Sequence, residues 1–229
     1  MKQWEPKDYD AWYETPLGRI SVRLEKDLIF SLATVKEGEK ALDAGCGTGI
    51  YSIELSKRGA VTTGTDISKE MLDRARARAG KDGIKIGFVS ADALALPFPD
   101  DYFDLVLSVG MLCFISERKK ALLEMKRVLK PGGRIVVGVL NKWSPWALLR
   151  RIKGLFKETV YNRAEFISPP DIKASLLRAG FEIKGLKTCL FFFPVNCRMY
   201  LKLAAPFERL DSMVIPRMGA FLAALAIKK

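Results

Sequence analysis

Ala41-Leu42-Asp43-Ala44-Gly45-Cys46-Gly47-Thr48-Gly49 decides how this chain is read. A short apolar run ends in a carboxylate and breaks into a loop with glycine at every second position. Glycine has no Cβ and tolerates positive φ, so a ligand can lie against bare backbone there. A helical pattern follows at once (Ile50, Ile53, Leu55). The loop's N–H groups are therefore expected at a helix N-terminus, where polar or anionic groups bind. The reading at this point is a cradle for a nucleotide-like ligand.

On either side of this loop, strands and helices alternate. Ala41–Ala44 reads as the first strand and Ile50–Lys57 as its helix; Val61–Thr65 is the second strand, ending in Asp66. Ser68 caps a helix over Lys69–Ala79, with Glu70 at the positive end of its dipole. Ile84–Ser90 and Asp104–Val109 are the third and fourth strands. Ser116 opens a helix over Glu117–Leu129, which Pro131-Gly132-Gly133 stops and turns into the strand Ile135–Leu140. Apolar strands of four to seven residues alternating with helices imply a parallel sheet covered on both faces.

Before this block, Ile20, Leu24, Leu28 and Leu32 repeat at helical spacing. After it the pattern loosens: a basic helix over Trp143–Phe156, a helix over Asp171–Ala179, a strand over Glu182–Phe191, an amphipathic helix over Arg198–Met213 and a last strand over Phe221–Ile227. No repeat or linker divides the 229 residues, so one domain is expected: 1–38 as an N-terminal lid and helix, 39–141 as a cofactor-binding half, 142–229 as a substrate-side half.

Composition removes whole classes of chemistry. The chain has no histidine, and its four cysteines (Cys46, Cys113, Cys189, Cys197) show no metal-like spacing. Imidazole zinc sites, Ser-His-Asp triads and Cys-His nucleophiles are excluded, and no metal is expected. Met1–Asp8 lacks the apolar core of a secretory signal, and no apolar run is long enough to span a bilayer. A cytoplasmic protein is expected. The formal charge of +12 fits an anionic substrate, a nucleic acid, a membrane surface or no partner at all.

Asp66 lies 21 positions after Gly45, at the end of the second strand. In a doubly wound sheet this places a carboxylate beside the glycine loop, where it can accept both ribose hydroxyls of an adenosine. Ile50 stands where a dinucleotide fingerprint needs a small residue, which argues against a pyrophosphate. The D-x-G-x-G-x-G form instead resembles motif I of the class I S-adenosylmethionine-dependent methyltransferases, small-molecule type. Gly64-Thr65-Asp66-Ile67-Ser68 with Met71-Leu72, Ala91-Asp92-Ala93, Leu96-Pro97-Phe98-Pro99-Asp100, Phe103-Asp104 and Leu129-Lys130-Pro131-Gly132-Gly133 are similar to that family's later motifs, in order.

The resemblance implies an α/β fold, doubly wound around a seven-stranded, mostly parallel sheet of Rossmann-like type. An N-terminal helical lid and late helical insertions complete it. It implies S-adenosyl-L-methionine as cofactor and S-adenosyl-L-homocysteine as product. Gly45, Cys46 and Gly47 would form the loop under the methionine and ribose, and Asp43 would orient loop and amino group. Asp66 would hold the ribose, Ile67 and Met71 would flank the adenine, and Asp92 with the Ala93 N–H would face its N6 and N1 edge. Ser108, with Val109, would border the sulfonium. Trp12-Tyr13-x-Thr15-Pro16-x-Gly18-Arg19 resembles the family's lid: Tyr13 would cover the cofactor and Arg19 pair its carboxylate, or these aromatics pack the first helix onto the sheet.

Ser108-Val109-Gly110-Met111 stands where nucleic-acid amino-methylating members carry [DN]-P-P-[FY], and the Pro-Cys of cytosine C5 enzymes is missing. Nucleic acid is therefore not expected as substrate. Acceptor choice falls to the N-terminal lid, Met111–Phe114, Trp143–Tyr161 and Leu190–Met213, aromatic and apolar stretches beside basic residues that suit a small apolar or lipid-like acceptor, or contact with an anionic membrane. No catalytic residue can be nominated. A cofactor-binding protein without transfer, and an RNA methyltransferase, remain as alternatives.

Overall fold

The computed structural model describes residues 6–156, 160–197, 199–201, 208 and 215–229, with side chains from Asp10 onward. Helices α1 (Pro6–Glu14) and α2 (Pro16–Ala33) precede the alternating block. Thr15 separates them: its hydroxyl accepts the Gly18 N–H at 2.9 Å, and Pro16 supplies a first-turn φ that needs no donor. The block runs β1 (Lys40–Ala44), α3 (Ile50–Lys57), β2 (Val61–Asp66), α4 (Lys69–Lys81), β3 (Gly87–Ser90), β4 (Phe103–Val109), α5 (Arg118–Val128) and β5 (Leu129–Leu140). Then follow α6 (Pro145–Phe156), α7 (Pro169–Arg178), β6 (Phe181–Cys189) and β7 (Phe221–Lys228).

The sheet order is β3-β2-β1-β4-β5-β7-β6. The first five strands are parallel, and β7 runs antiparallel between β5 and β6. This is the seven-stranded Rossmann-like sheet that the motifs imply. Alternate residues feed two apolar layers. Leu42, Val106, Val137 and Val139 pack with Leu122 and Met125 of α5 and Leu176 of α7. Ala41, Leu105, Leu107 and Val136 pack with Ile29 and Phe30 of α2 and Leu55 of α3.

Most helix ends shift by one or two residues, and three strand boundaries differ for a physical reason. The third strand is shorter, because Ile84-Lys85-Ile86 lie outside the pairing that begins at Gly87. The sixth stops at Cys189, where Leu190 takes a left-handed φ of 67°. The Pro131-Gly132-Gly133 turn sits inside β5 rather than before it: Leu129 pairs with Phe103 and Arg134 with Leu105, so Lys130–Gly133 loops out of the ladder. The amphipathic helix expected over Arg198–Met213 lies almost wholly outside the described residues.

Asp104 closes the bottom of the sheet. Burial would raise its pKa, but Lys130 Nζ at 2.6 Å and the Lys40 N–H at 3.0 Å outweigh that and hold it below the usual carboxylate value. It ties three strands together and has a structural role.

Candidate active site

The glycine loop joins β1 to α3 at the carboxyl edge of the sheet. Gly45 and Gly47 have φ of 77° and 51°, in the left-handed region. The Gly45 and Cys46 N–H groups both donate to Thr65 O at 2.8 Å, and Gly47 N–H donates to Asp66 Oδ2 at 2.9 Å. These donors are engaged within the protein, which corrects the expectation of an anion-binding N–H cluster. What the loop offers is bare Cα surface. A Cβ on Gly47 would meet nothing within 4 Å, whereas one on Gly45 would strike the Met111 side chain at 2.6 Å.

Asp66 is the hinge of the site. Its other oxygen accepts the Ser68 N–H at 2.9 Å, while Ser68 Oγ caps α4 by accepting from Met71 N–H. One carboxylate thus joins the glycine loop to the start of α4, with lone pairs remaining for further donors. The Asp66 carbonyl accepts the Ala91 N–H at 3.1 Å, which draws the loop after β3 to the same edge. On that loop Asp92 is exposed and its Oδ1 accepts the Leu94 N–H at 2.9 Å, while Ala93 is buried. Ile67 leaves 72% of its surface exposed beside Asp66, whereas Met71 is buried.

Asp43 lies beneath the loop, buried, with Oδ2 accepting from Ser52 Oγ at 2.6 Å. Burial pushes its pKa up to about 7; the Ser52 bond opposes the rise and the Asp66 charge adds to it. Its bond to Ser52 ties the end of β1 to α3 beneath the loop. Burial, with Asp43 and Asp66 nearby, also drives the Cys46 pKa far up, so this residue is a neutral filler with no thiolate chemistry. At the end of β4, Ser108 is fully buried and its Oγ has no hydrogen-bond partner.

The N-terminal helix is tied to this edge by residues the sequence did not single out. Asp10 Oδ1 accepts from Thr48 Oγ1 at 3.0 Å and from Arg78 Nη2 at 2.7 Å. Arg78 Nη1 also reaches Thr48 O and Oγ1, and Arg74 lies 3.7 Å from the second Asp10 oxygen. One network thus joins α1, the glycine loop and α4. No local signal marks it, because Asp10 and Arg78 lie 68 positions apart.

Tyr13 is half-buried and packs edge-on against Trp12, with ring centroids 4.9 Å apart. Arg19 is exposed, and its guanidinium pairs with Glu14 at 2.7 Å. The cations that α1 engages at the loop are Arg78 and Arg74. Arg19, expected to pair the cofactor's carboxylate, has Glu14 as its partner here, in solvent.

On the other flank, Trp146 of α6 is 2% exposed and donates Nε1–H to Phe192 O, whereas Trp143 is exposed. Trp146 is therefore core, not a free aromatic. Glu25 of α2 accepts from Tyr51 at 3.1 Å. Burial pushes the Glu25 pKa up to about 7, opposed by the Tyr51 bond and the Arg150 charge. Glu208, buried, accepts the Leu190 and Phe191 N–H groups and so holds the chain as it leaves β6.

Residues 42–137 match the methyltransferase domain family. The methyltransferase GfsG of Streptomyces halstedii is 34% identical over 125 residues, covering 53% of this chain and 45% of that protein. The chain spans about half the length of the first curated relatives it matches. An S-adenosylmethionine-dependent methyltransferase of Thermotoga maritima superposes with a TM-score of 0.71 at 24% identity, covering 97% of this chain and 95% of that one. The [4+2]-cyclase SpnF superposes with a TM-score of 0.66, also at 24% identity, over 88% of this chain and 78% of that one. Residues 42–137 thus carry the match to the methyltransferase domain family, inside a fold shared with S-adenosylmethionine-dependent methyltransferases of known structure.

Proposed function

We propose that this protein transfers the methyl group of S-adenosylmethionine to a small acceptor, apolar or lipid-like, in the cytoplasm. The observation that carries the reading is Asp66, a carboxylate fixed by the Gly47 and Ser68 N–H groups beside an open stretch of bare backbone. Two further features fit an adenosine-bearing sulfonium. Ser108 Oγ is a buried polar atom without a partner at the end of β4, and Asp92 stands exposed on the loop drawn to Asp66.

In this reading Asp66 receives the ribose hydroxyls, Asp92 and Ala93 meet the adenine edge, and Ile67 and Met71 flank its faces. Bound there, the cofactor supplies a methyl group already activated for in-line displacement. The protein's part is then orientation and exclusion of water, and such positioning supplies roughly 7–11 kcal/mol of barrier reduction in favourable cases. Met111, packed over Gly45, and helix α1, held by Asp10, are the groups that close over the loop. With no histidine in the chain, an acceptor that arrives protonated would need a carboxylate, tyrosine or lysine as base.

An apolar stripe on α6 supports a lipid-like acceptor. Leu148, Ile152, Leu155 and Phe156 are exposed at helical spacing beside Arg151 and Lys153. No helix among the described residues is long and apolar enough to cross a membrane, so this stripe would rest on a surface. The fold shared with the SpnF cyclase favours a second reading, in which the scaffold holds the cofactor without transferring its methyl group.

The Asp66→Ala variant tests the cofactor site: thermal stabilisation by S-adenosylhomocysteine should vanish while the fold persists. Stabilisation equal to that of the wild type would overturn the assignment. Incubation with methyl-labelled cofactor and cell extract separates the readings. Label in organic-extractable small molecules supports transfer to a small acceptor, label in RNA points to a nucleic-acid enzyme, and binding without label transfer supports the second reading.

A further inference from the structure

We propose that the cleft between α6, α7 and the start of α5 binds a phosphate-type oxyanion carried by the acceptor. The acceptor role rests on the methyl-transfer reading; the anion binding does not. The cleft has a volume of about 680 Å³ and is lined by Arg118, Lys142, Arg150, Arg151 and Arg178, against two carboxylates, Glu165 and Asp171.

Both carboxylates are engaged. Glu165 is paired with Arg118, and Asp171 Oδ2 lies 2.6 Å from Ser168 Oγ. Lys142, Arg150, Arg151 and Arg178 have no carboxylate at ion-pair distance among the described residues. Cations gathered in one concavity repel one another, and a bound anion relieves that repulsion.

The cations are also oriented. The Arg150 guanidinium lies 4.1 Å from the Tyr161 ring centroid and 5.2 Å from that of Trp146, with Nη2 3.3 Å from the Tyr161 hydroxyl. Arg151 lies 6.0 Å from the Phe166 ring. Stacking fixes the plane of a guanidinium and leaves its N–H fork to match two oxygens of one group. Arg118 Nε is a buried donor without a partner.

Position links the cleft to the reaction. Lys142 follows the end of β5 by two residues, and Arg118 opens the helix after β4. The Glu165 N–H donates to Cys113 O at 2.7 Å, in the turn that follows β4. The cleft therefore lies beyond the carboxyl ends of β4 and β5, where doubly wound sheets take ligands, and on the opposite side of β1 from β2 and β3. Its size leaves room for the organic remainder of a phosphorylated molecule.

Calorimetric titration of the full chain with inorganic pyrophosphate tests the site, with and without S-adenosylhomocysteine. Arg150→Gln with Arg178→Gln should weaken pyrophosphate binding roughly tenfold or more, since charge-assisted bonds are lost. The same loss of charge at exposed Lys81→Gln and Lys85→Gln should leave it unchanged. If Arg150→Gln loosens α6 through its stack on Trp146, the exposed pair Arg151→Gln and Arg178→Gln serves instead.

No binding by the wild type, or an equal loss in the lysine control, overturns the proposal. Co-sedimentation with phosphatidylglycerol vesicles that fails in the arginine variant assigns the phosphate to a lipid headgroup. Pyrophosphate binding with vesicle behaviour unchanged assigns it to a water-soluble organophosphate. If the wild type binds pyrophosphate but not S-adenosylhomocysteine, the acceptor role falls and the anion site stands.

Discussion

Around the glycine loop, on the β1–β2–β3 flank, Asp10 has Arg78 and Thr48, Asp66 has two backbone N–H groups, and Asp43 has Ser52. On the β4–β5 flank, Lys142, Arg150, Arg151 and Arg178 stand together without a carboxylate partner among the described residues. The first arrangement is preorganised, with donors and acceptors matched before any ligand arrives. The second is complementary to something outside the chain. A matched network fixes the position of a common cofactor, whereas an unmatched one selects a partner by charge.

Glu25 is the sharpest test of the contrast, because it is a half-buried residue whose carboxylate interacts with the Arg150 charge. Its folded pKa is raised, so the native state holds the proton more tightly than the unfolded chain does. Stability from this group is complete below about pH 4.5 and is lost as pH rises through about 7. Glu25→Gln should therefore change the melting temperature little at pH 4.5 and raise it by several degrees at pH 8, a gain of roughly 2 kcal/mol. Equal effects at both pH values would show that Glu25 is not held protonated by burial.

The matched flank is broken next. Asp10→Ala leaves Arg78 and Thr48 without their acceptor on α1 and should weaken S-adenosylhomocysteine binding about five- to tenfold, or roughly 1–1.4 kcal/mol. Calorimetry at low and high salt would check this. An unchanged affinity would mean that α1 is not part of the cofactor enclosure. The smallest effect belongs to Arg19→Ala, because the Arg19–Glu14 pair is exposed to water on both sides. Cofactor affinity should stay within twofold, and a larger loss would assign the carboxylate-pairing role to Arg19.

The glycine-loop flank could be read from the chain because its requirements fall on the backbone. Gly45 and Gly47 need positive φ, Asp66 must follow a strand, and Ser68 must cap a helix, so each leaves a residue type at a fixed spacing. Helix α2 was readable through its apolar face, in which Ile20, Leu24, Leu28 and Leu32 recur at helical spacing. The Asp10–Thr48–Arg78 network has no such trace, since it joins separate elements through ordinary charged side chains. The arginine cleft was equally hidden. Arg118, Arg150 and Arg178 belong to three separate helices, and only the fold brings them to one wall. The glycine loop misled in one respect: its spacing suggests free N–H groups, but Thr65 O and Asp66 take up three of them.

The position of β7 bears on how this molecule is made. Chain order delivers β6 at residues 181–189, yet its pairing partner β7 arrives only with residues 221–228. On the ribosome, β6 and the open side of β5 must wait with unsatisfied backbone groups until β7 inserts between them. The parallel half can pair as it emerges, whereas the last two strands close in one late step. Chains cut between 190 and 220 should therefore lose β6 together with β7 and expose the β5 edge to other chains, so synthesis errors there would surface as aggregation.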